Sequence, residues 1–433
     1  MSPVDVARPP RVFYGWWVAL AFVIIVFLTT GVRFTVGPFL KPIVSDLGLD
    51  RGSFSLVISL SLFLYGAFMP LVGGLVDRVG ARLVCAGGGV LLAASLALTA
   101  RMTSYWEFLL YFGVLSSMGL AATGHVVASA ILTRWFERRR GTAMSLVGAA
   151  GMAGMSILVP VVMWCILAFG WRDSLLIMAA ATLALVLPLA LLVLRDRPED
   201  LGLHPDGAAV PVVSTAPALD RTTIPVALRV PAFWQLAGGL ACCGFSMSLI
   251  SSHAVPMLTD HGFHPMTASS AIGLLGLVSM GGAMGLGFLA DRVGRRPVLV
   301  AVYVLRTAAF ALLFFAVDPA TLMVVAAFGG IGMSGSLAMV SALTADIFGR
   351  FSVGSIFGTM FLAHQVGAAL GTWLGGALFD VTGGYGAAFA TTGALLLVAA
   401  GLSMAVRQGR HGSSRAGARI TPRPEPRPVA GGR

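Results

Sequence analysis

Gly73-Gly74-Leu75-Val76-Asp77-Arg78-Val79-Gly80-Ala81-Arg82 returns 214 residues downstream as Gly287-Phe288-Leu289-Ala290-Asp291-Arg292-Val293-Gly294-Arg295-Arg296. The same shift lays Pro42 on Pro256, Asp46 on Asp260, Gly48 on Gly262 and Ser55 on Ser269, and further on Gly170-Trp171 on Gly384-Tyr385. Coincidences clustered in matching loops mark an internal duplication and not chance. The chain reads as two halves of like order and like orientation. In each half the repeated decapeptide closes an apolar run, so the nature of those runs decides the fold.

The runs are long. Apolar stretches of about 20 residues, enough to cross ~30 Å of hydrocarbon, fall at 14–38, 52–76, 83–100, 105–132, 142–168, 173–194, 232–256, 267–290, 297–317, 320–345, 352–379 and 386–406. They are rich in Gly, Ala and Leu, which suits helices packed on helices in lipid and not barrel strands. Composition agrees. Of 433 residues 57% are hydrophobic and 11% charged, with a mean hydropathy of +0.89, where soluble domains carry roughly a quarter charged residues. A soluble enzyme, a disordered chain, a disulfide scaffold and a fibre are excluded. The expected fold class is an all-α membrane protein of twelve transmembrane helices in two six-helix pseudo-symmetric bundles. Its expected parts are an N-terminal bundle 1–194, a cytoplasmic central loop 195–231, a C-terminal bundle 232–407 and a basic, disordered tail 408–433. The first run is too long for a signal h-region and has no small-residue cleavage site behind it, so it is expected to be retained.

Basic residues orient such a chain, because cytoplasmic segments collect them. With the N-terminus inside, the inner segments and tail hold 23 of the 29 Lys and Arg, and the outer segments hold Lys41, Arg51, Arg101 and Arg172. Both termini are therefore expected in the cytoplasm, the membrane being a bacterial inner membrane. The same asymmetry accounts for the formal charge of +11 without nucleic acid as a partner; the tail is suited to anionic lipid. Cys85, Cys165, Cys242 and Cys243 lie in or at the ends of apolar runs, form no spaced metal set and read as small packing residues. A nucleotide-driven pump would need Gly-x-x-x-x-Gly-Lys-Ser/Thr, impossible where Lys41 is the only lysine. No nucleophile triad is visible, so no enzymatic activity, cofactor or metal is expected, and the chain is expected to be a monomer.

Parallel six-helix repeats about an axis along the membrane normal are a transporter architecture. The substrate sits between the halves near the midplane, and rocking of one half on the other gives alternating access. The duplicated loop has a physical task in such a device. Gly73 and Gly287 would let a neighbouring helix approach, and Asp77 and Asp291 would cap a neighbouring helix or pair with arginine. With Arg78, Gly80, Arg292 and Gly294 they form a candidate cytoplasmic gate. The blander reading is a loop that merely satisfies the positive-inside rule; two copies at equivalent places favour the gate.

The two copies of Gly-x-x-x-Asp-Arg-x-Gly-x-Arg resemble the signature loop of the major facilitator superfamily. Further pieces resemble its bacterial monocarboxylate and oxalate/formate branch: Tyr14-Gly15-Trp16-Trp17, Gly170-Trp171-Arg172, Asp260-His261-Gly262, His364-Gln365-x-Gly367 and Phe379-Asp380-x-Thr382-Gly383. The resemblance covers nearly the whole chain outside the termini and central loop. It implies the major facilitator fold and transport by alternating access. The stretch that in animal monocarboxylate carriers places an acid and then an arginine on helix 8 reads here Ser279 and Ala283, and their helix 1 lysine falls within about a residue of Arg33.

Ionisable residues inside a membrane are costly and functional by default. The inventory is Arg33 in the first run, His125 in the fourth, His253 in the seventh, Arg306 in the ninth and His364 in the eleventh, with no Asp or Glu deep in any run. Cationic and neutral donors without a buried carboxylate favour an anion, and guanidinium fits carboxylate by a bidentate pair. Arg33, about 28 Å along its helix, is expected in the outer part of the membrane, where it either binds substrate or snorkels outward. Arg306 either contacts ligand or bonds helix-end carbonyls. His253, near the outer end of its run, either reaches Arg33 or is a solvated helix-end histidine. His364 sits beside Gln365, with Gly367, Gly371 and Gly375 on a face where another helix must pack. The substrate-binding candidates are thus Arg33, His253, His364, Gln365 and Arg306, and the proton-coupling candidates His364, His253 and His125. Tyr65, Ser117 and Trp16-Trp17 read as packing or interface belt. The function these residues point to is secondary transport of a small organic anion, monocarboxylate-like, with a proton as co-substrate; the alternative is efflux of neutral hydrophobic compounds.

Overall fold

Among the described residues, twelve helical spans follow one another. The structure, a computed structural model, describes residues 13–137, 139–207, 222–349 and 353–406, without the side chains of 353 and 354. The spans are α1 (Gly15–Phe34, continued as Val36–Leu47), α2 (Arg51–Val79), α3 (Ala81–Thr99), α4 (Tyr105–Trp135), α5 (Arg140–Phe169) and α6 (Trp171–Val193). The second half repeats them as α7 (Pro231–Asp260), α8 (Pro265–Val293), α9 (Arg295–Leu313), α10 (Pro319–Phe348), α11 (Val353–Thr382) and α12 (Gly386–Ala405). The expected basic tail, and residues 208–221 of the expected central loop, lie outside the described residues.

The duplicated loop shows why it needs glycine. Gly80 and Gly294 turn the chain between α2 and α3 and between α8 and α9 at φ 92° and 97°, a region closed to most side chains. The sequence reading gave the capping role to Asp77, but Asp196, just after α6, performs it. Its carboxylate accepts from the backbone N–H of Ala81 at 2.6 Å and of Arg82 at 3.1 Å, at the N-terminus of α3. Asp77 takes the other role expected of it and pairs with Arg134 of α4 at 3.5 Å. The arginines closing each repeat also match: Arg82 donates to the Leu191 carbonyl at the end of α6, and Arg296 to that of Met404 at the end of α12.

Three spans are broken. α1 breaks at Thr35 and runs on to Leu47, well past the end expected at 38. α4 carries a π-helical stretch at Leu109–Leu115 and breaks at Gly124; α10 breaks at Ser334-Gly335. The last two breaks sit at comparable places in the two halves.

Each half has its own apolar core. One gathers Val18, Phe22, Ile25, Leu96 and Trp135, the other Leu240, Tyr303, Leu343, Phe389 and Leu396. Contacts between the halves run along α2 with α11, α5 with α8, and the Val36–Leu47 part of α1 with α7. They are tight toward the end of the bundle remote from the duplicated loops, hereafter the far end. A Cβ on Gly37 would stand 2.7 Å from the Ser251 carbonyl, and one on Gly273 2.6 Å from that of Ser156. Toward the end bearing the duplicated loops, the basic end, Gly148, Gly281, Gly285 and Gly287 have no described atom within 4 Å of such a Cβ. The close helix approach expected at Gly287 is therefore not made in this conformation. The molecule is closed at its far end and splayed at its basic end.

Candidate functional site

Arg33, Tyr65 and Gln365 lie near the middles of α1, α2 and α11, and they meet where the two halves begin to part. Arg33 Nη2 donates to Gln365 Oε1 at 3.3 Å, and its guanidinium carbon lies 4.7 Å from the Tyr65 ring centroid. Gln365 is fully buried, and its Nε2 donates to the Leu62 carbonyl at 3.2 Å, which fixes Oε1 toward Arg33. His364 Nδ1 lies 3.0 Å from the same Oε1. Because that oxygen only accepts, Nδ1 carries the hydrogen, and Nε2 is left buried without a hydrogen-bond partner among the described residues. The imidazole lies flat on Phe361, centroids 5.1 Å apart at 6°. The break in α4 completes this cluster: a Cβ on Gly124 would stand 3.2 Å from Tyr65 Oη. The next residue, His125, is exposed and within the electrostatic reach of Arg33.

The expected depth of Arg33 needs correction. Because α1 continues to Leu47, Arg33 falls about midway along it, too deep to snorkel to the outer surface. The structure brings together Arg33, Gln365 and His364, with His125 close by. It does not bring His253 to Arg33, nor leave it solvated at a helix end. His253 lies about two turns from the far end of α7 and is fully buried, with Nε2 donating to the Thr372 carbonyl at 2.9 Å and Nδ1 accepting from Tyr385 Oη at 3.2 Å. Arg306 is 1% exposed inside the second half, where Nε donates to the Gly332 carbonyl at 2.9 Å, beside the α10 break. Of its two open readings, the helix-end carbonyl is the one realised in this conformation. The face of Gly367, Gly371 and Gly375 packs on α7 as anticipated, so closely that a side chain there would collide with α7.

Two elements of the site escaped the sequence reading. Tyr65 reads from sequence as packing or interface belt; a tyrosine in mid-span facing an intramembrane arginine is the available signal. The other is a latch across the far end. Arg51 of α2 forks onto Asp260 of α7, Nη1 at 2.6 Å and Nη2 at 3.2 Å, and Lys41 joins the same carboxylate at 2.7 Å. Arg51 also donates to Tyr385 Oη at 2.9 Å and lies 3.8 Å over the Phe379 ring. Asp380 of α11 accepts from the first two backbone N–H groups of α2, Arg51 at 3.2 Å and Gly52 at 2.6 Å. Burial pushes the Tyr385 phenol up to about 12, so it stays protonated and links Arg51 to His253. The signal was present: Asp260-His261-Gly262 and Phe379-Asp380 are among the motifs that carried the family resemblance.

Comparison with known proteins settles the family. The sequence model of the Major Facilitator Superfamily matches residues 22–289 and 244–431. The chain belongs to the Major Facilitator Superfamily. It is a multi-pass membrane transporter, not an enzyme. Among facilitator relatives, an uncharacterised transporter of Bacillus subtilis (strain 168), YcxA, is 25% identical over 366 residues, covering 80% of this chain and 84% of that protein. Monocarboxylate transporter 13 of Bos taurus is 28% identical over 399 residues, covering 92% and 90%. Among solved facilitator structures, a bacterial homologue of the human lysosomal transporter Spinster, inward-facing and unoccupied, superposes with a TM-score of 0.71 at 17% identity. It covers 92% of this chain and 97% of its own.

Proposed function

We propose that the chain carries a small monocarboxylate-type anion together with a proton, by alternating access. The observation that carries this reading is the state of Arg33. It is a guanidinium at mid-depth whose partners among the described residues, Gln365 and Tyr65, are both neutral, so a charge is left to be met by ligand. A carboxylate would take Arg33 by paired N–H bonds, with Tyr65 holding the guanidinium plane and His125 on the open side of the cluster. Proton co-transport suits this cargo, because carboxylate and H⁺ together cross the low-dielectric interior without net charge. The likeness to several monocarboxylate transporters supports the cargo class.

The excess of arginine at the basic end argues that this end, with both termini, faces the cytoplasm of a bacterial inner membrane. The conformation is then inward-facing, and the Arg51–Asp260 latch closes the outside. In the opposite state the duplicated loops (Gly73, Asp77, Arg78, Gly80 and Gly287, Asp291, Arg292, Gly294) would come together and close the inside. The test is uptake of labelled lactate, pyruvate and acetate into proteoliposomes of the purified protein under an imposed pH gradient. Gradient-driven uptake of at least one is expected, with Arg33→Ala reducing it about tenfold or more, as loss of a charged hydrogen-bond donor predicts. Absence of uptake for all three, or undiminished uptake in Arg33→Ala, overturns the proposal.

A further inference from the structure

Arg306 is a cation enclosed in protein with no carboxylate beside it among the described residues. Besides the Gly332 carbonyl it donates from Nη1 to Ser246 Oγ at 3.1 Å and to Cys243 Sγ at 3.2 Å, and from Nη2 to Ser336 Oγ at 3.4 Å. A buried charge is costly unless something near it carries the opposite sign. Of these four partners only the Cys243 thiol can ionise. Ser336 Oγ stands 3.3 Å from the sulfur as well, so Cys243 faces two groups able to hold a negative charge in place.

Cys243 also neighbours His364. That ring gives its Nδ1–H to Gln365, and its Nε2, 96% of the residue being buried, is the unpartnered base already described. An unsatisfied imidazole nitrogen beside a thiol held against an arginine is an arrangement for storing a proton. Few other ionisable groups surround it. α9 adds Tyr303, whose Oη is committed to the Gly239 carbonyl at 3.1 Å, and α7 itself adds Cys242. α12 carries no ionisable residue, and those of α8 and α10 lie at their basic ends. Arg33 of α1 and Tyr65 of α2 lie beyond Gln365.

We propose that Cys243 and His364, set against Arg306, are the site that takes up the co-transported proton, and that Gln365 reports substrate binding to it. The inference rests on the proton-coupled reading above. Gln365 Oε1 accepts from Arg33 and from His364 at once. When a carboxylate draws the Arg33 Nη2 away, that oxygen is left to His364 alone. The stronger Nδ1–H bond then makes Nε2 the better proton acceptor. The step balances simply: a thiolate and a neutral imidazole gain one proton, shared between Sγ and Nε2, and give back the same proton on the other side. Cys243 is thus more than the packing residue its sequence context suggests.

The test has one arm that does not depend on the cargo. Full-length protein in proteoliposomes is treated with methyl methanethiosulfonate from mildly acidic to mildly alkaline pH, and modification of Cys243 is followed by peptide mass spectrometry. At neutral pH the rate at Cys243 is expected to fall about tenfold in His364→Gln, which removes the base, and in Arg306→Gln, which removes the charge set against the thiol while keeping a donor. The second variant serves should the first fail to fold. Unchanged rates in both overturn the inference. The other arm compares labelled-lactate uptake with and without a pH gradient, and Cys243→Ala is expected to bring that ratio down to about one. A ratio left at the wild-type value overturns the proton site while the carboxylate reading stands. A wild type that exchanges lactate but ignores the gradient overturns proton coupling itself, and this inference with it.

Discussion

A single aromatic ring decides how well Arg33 is held. The guanidinium of Arg33 donates to Gln365 and lies 4.7 Å from the Tyr65 ring centroid. A cation over a desolvated ring is worth about 1–2 kcal/mol, roughly 5- to 30-fold in affinity. Tyr65→Leu is therefore expected to raise the half-saturating lactate concentration in exchange assays by about that factor, whereas Tyr65→Phe, which keeps the ring, should stay within about twofold of wild type. Equal losses in the two variants would mean that the hydroxyl and not the ring matters. The sequence showed which charges lie in the membrane but not who meets them. Arg33, His364 and Gln365 were legible because a cation or amide in an apolar run needs a reason. Tyr65 was not, because tyrosine in such a run is ordinary. The depth of Arg33 and the partners of His253 depended on where α1 ends and how α7 meets α11 and Tyr385, which no local pattern encodes.

Spans were easier to read than their breaks. The duplicated loop marked the ends of α2 and α8 because glycine alone fits φ near 90° at Gly80 and Gly294. Its capping partner was out of reach of sequence reasoning, since Asp196 follows α6 and meets α3 only through tertiary packing. The cap offers a clean measurement. Removing a side-chain acceptor from a helix N-terminus costs about 0.5–2 kcal/mol, so Asp196→Ala should lower the midpoint of thermal unfolding by a few degrees in detergent. Asp196→Asn keeps an acceptor oxygen and should recover most of the loss. The interruptions at Thr35, Gly124 and Ser334-Gly335 were missed for a related reason. Glycine and serine abound in every span here, so composition does not distinguish a glycine that admits a neighbour, as at Gly367, from one that ends a helical segment, as at Gly124.

For the molecule as a whole, the balance between its two closures sets the working cycle. Duplication and hydropathy were enough for the twelve-span, two-half plan, because membrane crossing is a property of composition summed over a long run. The conformation was not legible, because it depends on a few residues distant in sequence. One carboxylate, Asp260, holds both Lys41 and Arg51 across the far end. The three side chains are 28%, 39% and 15% exposed respectively, so solvent screening limits the latch to about 1 kcal/mol. That is still about a fivefold shift between open and closed. Asp260→Asn is therefore expected to favour the state open at the far end. Ser55 is fully buried just beneath the latch, where Gly376 of α11 covers it, and Ser55→Cys makes it a reporter. Labelling of that cysteine by an impermeant maleimide applied outside right-side-out vesicles should be slow with Asp260 intact and roughly five times faster with Asp260→Asn. Equal rates would show that packing of α2 on α11, and not the ion pairs, keeps that end shut. Labelling that succeeds only from the inner face would place the far end in the cytoplasm and reverse the direction of every step argued from the charge asymmetry.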